Sequence, residues 1–218
     1  GGHFSKFSGH TSSEIKSKNI KIDFKIKCSV DDDTRHGVNL SMSKAIKLFS
    51  DYFTMSKINS IILLGDRYEL LAAAISAKNL GINIFHIGGG CTTEGALDNI
   101  YRYNISLLSD FHFVDLPEFK NKLIEYGIKS KNIFTVGAFG ASSIKFTKTL
   151  SLLNLEKFLN FRLNKYIIFT YHPTTNYIKD DENFITTTLD FFLNKDIEVI
   201  ITNPNEDFNK KKKKTITK

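Results

Sequence analysis

The stretch from Ile61 to Arg102, IILLGDRYELLAAAISAKNLGINIFHIGGGCTTEGALDNIYR, decides the fold. It opens on an apolar run, Ile61-Ile62-Leu63-Leu64, too short for an ordinary helix and half of it β-branched. Such a run reads as a strand buried on both faces. Gly65 breaks it and Asp66 follows. The segment from Tyr68 to Leu80 is rich in Ala and Leu and holds neither Gly nor Pro, which predicts a helix. Gly81 ends that helix, and residues 82–87 supply a second strand. Strand, helix, strand within about thirty residues is a βαβ unit, which requires a parallel sheet and a right-handed crossover. Asp66 thereby falls where a strand gives way to a helix. Ligands of open α/β sheets bind at that edge.

Upstream, residues 11–18 read as a short helix. Ile20, Ile22, Phe24, Ile26 and Cys28 then alternate with Asp23 and lysines, the period of a half-exposed strand. Asp31-Asp32-Asp33-Thr34 can bind a hard cation, but a loop at a helix N-terminus explains it more cheaply. Between Asn39 and Met55, Leu40, Ala45, Leu48, Phe49 and Tyr52 recur at helical spacing. Downstream, Thr93 to Leu108 predicts a helix with Glu94, Asp98 and Arg102 on one face, at i, i+4 and i+8. Residues 111–114 and 133–136 read as strands and 118–126 as a helix closed by Gly127, while 137–141 is a flexible turn suited to a domain exit. A linker or amphipathic helix over 150–164 leads to a second βαβ unit, with strands at 166–169 and 197–201 around a helix at 181–193. Its first strand ends in Tyr171-His172-Pro173-Thr174-Thr175, which gives His172 the place that Asp66 has in the first unit. Two α/β halves with polar groups at their strand ends are expected to face each other across a cleft.

The bulk properties are those of an ordinary globular chain: 218 residues, 41% hydrophobic and 24% charged. The formal net charge of +7 draws much of its excess from Lys210–Lys214. No basic face interleaved with aromatics accompanies that run, so a solvated tail is favoured over specific nucleic-acid binding. No segment is long and apolar enough to span a membrane. Cys28 and Cys91 have no metal-type spacing and read as free thiols of a reducing cytoplasm. The opening Gly1-Gly2-His3 turn looks like the exit from a strand, so a chain cut from something longer is expected.

At GDRYELLAAAISA, TEGALDNIYR, NIFTVGAFG and YHPTT, in that order, the chain resembles the hydrolysing UDP-N-acetylglucosamine 2-epimerases of sialic-acid-type sugar biosynthesis. The opening GGHFSKFSGHTSSEI resembles a βα turn of the same family, and the likeness runs through nearly all of residues 1–208. The resemblance implies two Rossmann-like domains of the glycosyltransferase-B type, both incomplete here. The first covers residues 1–149 without its first strand, the second 150–208 in part, and 209–218 is a basic tail. It also implies a UDP-sugar ligand, no metal and no other cofactor, with a homo-oligomer as a possible state. In the implied reaction a base removes the sugar C2 proton as UDP leaves C1. Water then adds with inversion at C2, releasing N-acetylmannosamine or a related sugar. That chemistry needs a carboxylate in a dry cleft, an acid, and cations or dipoles for the diphosphate.

Carried over position by position, Asp66 matches the aspartate of the GDR motif, with Arg67 beside it. Asp98 and Arg102 match the aspartate and arginine of the following helix, and His172 the histidine of HPTT, with Thr174 after it. The resemblance implies catalytic roles for Asp66, Asp98 and His172 and substrate binding for Arg67, Arg102 and Thr174. Glu94 is a weaker catalytic candidate on the expected face of Asp98, and His3 a substrate-binding one. Three departures stand out. Gly88 and Cys91 occupy positions where related chains carry acidic side chains, and position 88 resembles a catalytic carboxylate. The family's first strand is expected to be missing before Gly1. Finally, the resemblance stops near Phe208, where a frameshift in the lysine run is a natural expectation. An apolar sheet edge and low stability are expected in consequence.

Each assignment has a plainer rival. Asp66 suits a helix N-cap worth about 1 kcal/mol. Asp98 and Arg102 suit a surface ion pair worth roughly 0.3–0.5 kcal/mol. His86, His112, His10 and His36 read as structural or surface residues, and Gly88–Gly90 is by itself a weak phosphate-binding signal.

Overall fold

The computed structural model describes residues 12–30, 34–171, 181–195 and 197–202. The chain divides into two compact units, Gly1–Phe139 and Gly140–Lys218.

In the first unit, helix α1 (Ser12–Ser17) precedes the long helix α2 (Arg35–Ser56). The Thr34 hydroxyl caps α2 by accepting from the Gly37 N–H at 3.0 Å. Then come β1 (Ser60–Leu64), α3 (Tyr68–Asn79), β2 (Asn83–Ile87), α4 (Asp98–Leu108), β3 (Phe111–Val114), α5 (Pro117–Glu125) and β4 (Ile133–Thr135). The four strands form one parallel sheet in the order β1-β2-β3-β4. Because each strand pairs with the next in sequence, right-handed crossovers put every connecting helix on the same face. Accordingly α3 packs on β1 and β2, α4 on β2, and α5 on β3 and β4.

The main core lies under those helices. Leu63, Ile84, Leu71, Ile105 and Ala73, Ala74 and Ala77 of α3 are buried there, and Val114, Leu123 and Ile133 close a smaller cluster beneath α5. Helices α2 and α3 approach closely because the contact is made of small residues, with Ala45 and Ala72 at 0% exposure. The Ser76 hydroxyl crosses that contact to donate to the Ile46 carbonyl at 3.1 Å.

The strand and helix expectations are met with shifts of a few residues, and four expectations need correction. β1 is not buried on both faces: Leu63 is covered, but Ile62 and Leu64 are 70% and 66% exposed. Residues 20–30 form no strand among the described residues. Their apolar side chains pack on α2 instead, with Phe24 stacked on Tyr52 at 4.2 Å and Cys28 buried against Ala45 and Ala72. The helix expected from Thr93 begins only at Asp98, because a turn with Gly95 at φ +72° intervenes. The turn expected over 137–141 already contains the first residues of helix α6 (Phe139–Ile144).

The second unit holds α7 (Leu152–Leu159), β5 (Tyr166–Thr170), α8 (Asp181–Asn194) and β6 (Glu198–Thr202). β5 and β6 pair in parallel with Tyr166 opposite Glu198, so this is the expected second βαβ unit. Its buried residues include Leu163 and Ile185. Among the described residues no helix is long and apolar enough to cross a membrane.

Candidate functional site at the end of the first strand

Asp66 follows Gly65 at the carboxyl end of β1. It does not cap α3. The N-cap position is Arg67, which makes no side-chain cap bond. The Asp66 carboxylate is instead engaged by the Arg102 guanidinium, thirty-six residues away on α4. Arg102 is only 7% exposed, so the pair is not the surface bridge that local spacing allows. One Nη also donates to the Cys91 carbonyl and to Asn99 Oδ1, both at 3.0 Å. A buried guanidinium is tolerated only with such acceptors around it, and removing one partner from a buried pair costs about 3–5 kcal/mol.

The loop from Cys91 to Leu97 is pinned to α4 by the same residues. Asn99 Oδ1 accepts from the Thr93 N–H at 2.9 Å, while its amide nitrogen donates to the Thr93 carbonyl at 2.5 Å. Thr92 and Tyr103 are hydrogen-bonded through their hydroxyls. The glycines before this loop answer to space and conformation. A Cβ on Gly90 would lie 2.4 Å from the Phe119 carbonyl oxygen, and Gly88 has φ +87°. A Cβ at 88 would meet only the Gly65 nitrogen, at 4.0 Å, so the obstacle to it is the backbone angle. Burial pushes the Cys91 thiol pKa up, which keeps it protonated and unlike the carboxylate expected at that position.

Beneath the pair lies His86, fully buried. Its Nε2 is 2.9 Å from the Gly65 carbonyl and its Nδ1 is 3.0 Å from the Ser106 hydroxyl. The carbonyl can only accept, so Nε2 carries the proton and Nδ1 accepts from Ser106. Burial lowers the His86 pKa and favours this neutral form. His112 is its neighbour in register on β3. That ring is also fully buried, and neither nitrogen meets a hydrogen-bond partner among the described residues. Burial, helped by the nearby His86, takes its pKa down to about 4.

The structure therefore brings Asp66 and Arg102 together and sets Asp98 at the start of α4, one turn before Arg102. There its charge also suits the positive end of the helix dipole. Glu94 is not on that helix face: it is exposed in the turn before α4. Arg67 is half exposed, 3.4 Å from Glu69, with its guanidinium over the Tyr68 ring. His3, His172 and Thr174 lie outside the described residues. Sequence reasoning missed Asn99 and Ser106 as site residues and read His86 as a structural or surface residue. Asn99 lies within the Asp98–Arg102 segment and Ser106 one turn beyond it, a spacing that points to a shared neighbourhood but not to a partner.

The UDP-N-acetylglucosamine 2-epimerase family profile matches residues 1–218, and the chain belongs to that family. The chain is 36% identical over 211 residues to a GDP/UDP-N,N'-diacetylbacillosamine 2-epimerase (hydrolyzing) of Campylobacter jejuni, a match covering 96% of this chain and 55% of the relative. It is 32% identical over 213 residues to a UDP-N,N'-diacetylbacillosamine 2-epimerase (hydrolyzing) of Legionella pneumophila, covering 95% and 55%. The chain thus spans about half the length of these curated relatives. Among solved structures it is similar to the UDP-GlcNAc 2-epimerase of Neisseria meningitidis bound to UDP-GlcNAc, with TM-score 0.79, 20% identity, and 94% of this chain and 57% of that one covered. The Methanocaldococcus jannaschii UDP-GlcNAc 2-epimerase in complex with UDP-GlcNAc and UDP gives TM-score 0.74 at 19% identity, covering 93% and 56%. At these identities the likeness speaks for the fold, and the expected α/β class of glycosyltransferase-B type stands.

Proposed function

We propose that this chain carries the Asp66 half of the active site of a hydrolysing UDP-sugar 2-epimerase. The substrate is UDP-N-acetylglucosamine or a diacetamido relative, and the products are UDP and the 2-epimeric free sugar, N-acetylmannosamine in the first case. The carrying observation is the Asp66–Arg102 pair at the carboxyl edge of β1, where open α/β sheets take their ligands. Family membership and the diacetamido-sugar names of two relatives support the substrate class.

In this reading Asp66, Asp98 and His172 share the acid–base work. A carboxylate takes the C2 proton as the C1–O bond to UDP breaks, leaving a C1–C2 double bond. Water then supplies oxygen to C1, and a proton arrives at C2 on the opposite face. Arg102, buried as it is, acts by orienting Asp66. Arg67, Thr174 and His3 are left for the diphosphate and sugar, Glu94 serves at most as an exposed auxiliary, and the enzyme works in the cytoplasm.

A second reading follows from Gly88 and Cys91: a chain that binds UDP-sugar and turns it over poorly. Neither position offers a carboxylate, and the left-handed backbone at 88 resists one. UDP release from UDP-N-acetylglucosamine and from UDP-N,N'-diacetylbacillosamine separates the two. Little or no release, with binding detectable by calorimetry, is the expected result for this chain. Robust release abolished by Asp66→Asn would establish the full activity instead. Absence of both release and binding would sink the site assignment.

A further inference from the structure

We propose that His86 is a positioning residue whose single imidazole holds both members of the Asp66–Arg102 pair in register. On one side its Nε2 donates to the carbonyl of Gly65, the residue just before Asp66. On the other, its Nδ1 accepts from Ser106, one helical turn beyond Arg102 on the same face of α4. The Gly65 peptide is held from a second direction as well, since its N–H donates to the Ile87 carbonyl at 3.0 Å. A backbone shift that carries Asp66 away from Arg102 therefore breaks the bonds at Gly65, and a slide of α4 breaks the bond to Ser106.

The surroundings are shaped to this bridge. Gly89 passes over it so closely that a Cβ would lie 2.7 Å from Ser106 Oγ and 3.0 Å from His86 Nδ1. Ser106 is 1% exposed, so no water competes for the contact. His112, the adjacent ring, makes no such bonds, and this sets His86 apart from a histidine that merely fills the core. As a contribution to the reaction the inference rests on the proposed function, but its geometry can be tested without substrate.

The test is a double-mutant cycle on Asp66→Asn and Arg102→Gln, read from urea unfolding of the full chain in three backgrounds. With His86 intact, the coupling between 66 and 102 is expected at about tenfold in the unfolding constant. In His86→Leu it should fall below about twofold. In His86→Gln, whose amide N–H still reaches toward the Gly65 carbonyl, most of it should return. A His86→Leu chain that is less stable yet keeps the full coupling overturns the proposal and leaves a purely structural histidine. Should His86→Leu fail to fold, Ser106→Ala is read in its place: partial loss of coupling supports the bridge and unchanged coupling overturns it. Because no turnover is measured, an inactive chain leaves the result legible. Conversely, an active chain with coupling indifferent to His86 would overturn this inference alone.

Discussion

The two faces of the first sheet are made from the same four strands, yet they have opposite fates. On the helix side Leu63, Ile84, His86, His112, Val114 and Ile133 are all buried. On the other side Ile62, Leu64 and Phe134 are 70%, 66% and 44% exposed, with Phe85, Phe111 and Phe113 only part-covered and stacked along the surface at 5.0–6.4 Å. Strand alternation hands each face an apolar set, while the run of sequential right-handed crossovers sends all the connecting helices one way. An apolar strand therefore does not ensure a buried one. Burial belongs to the connection, and the Asp66–Arg102 pair lies on the side the connections cover.

The contrast breaks most sharply through paired truncations. Leu123→Ala and Ile84→Ala remove fully buried side chains and should each cost about 2–5 kcal/mol in urea unfolding. Ile62→Ala on the bare face should cost less than about 1 kcal/mol, because little surface leaves water there. Equal losses on both faces would mean that the second face is covered in solution.

The next effect is pH-dependent and confined to the covered face. The folded pKa of His112 is about 4, below the ordinary 6.5, so the unfolded chain binds the proton more readily. The proton-linked penalty should vanish above about pH 6.5, and stability should decline by roughly 3 kcal/mol as the pH falls toward 4. His86 acts in the same direction. His112→Phe should flatten part of this decline, as followed by thermal unfolding between pH 7 and 4. An unchanged slope would show that the ring is solvated.

Asp66→Asn should cost about 2 kcal/mol in unfolding, since the amide still accepts from Arg102 but leaves its charge uncompensated in a buried place. Glu94→Ala, in the exposed turn, should change stability by less than about 0.5 kcal/mol. Leu64→Lys on the bare face should leave stability within about 0.5 kcal/mol of the parent and reduce self-association by light scattering.

Much of this architecture was readable residue by residue. The apolar run 61–64, the alanine helix and Gly81 announced a βαβ unit, and the GDR motif put Asp66 at the strand's end. The misreadings have local causes. Periodicity carried the α4 helix back to Thr93, because Glu94, Asp98 and Arg102 fit a stripe, while the backbone turns at Gly95. Alternation over residues 20–28 predicted a strand, but those side chains found α2 before any strand edge. The plainer rival for Asp66, a cap, rested only on its position before a helix, which is common to caps. No neighbour in sequence revealed that Arg102 would claim it.

By itself the sequence determined the order and type of the elements, the parallel sheet and the family, since these follow from short-range periodicity, turn residues and motifs. Only the tertiary structure decided which face of the sheet is covered, that Asp66 pairs with a buried Arg102, and that His86 joins β1 to α4. Those outcomes depend on contacts between residues twenty to forty positions apart. Such contacts form only when crossovers and side-chain packing bring distant segments together, and no local pattern encodes that meeting.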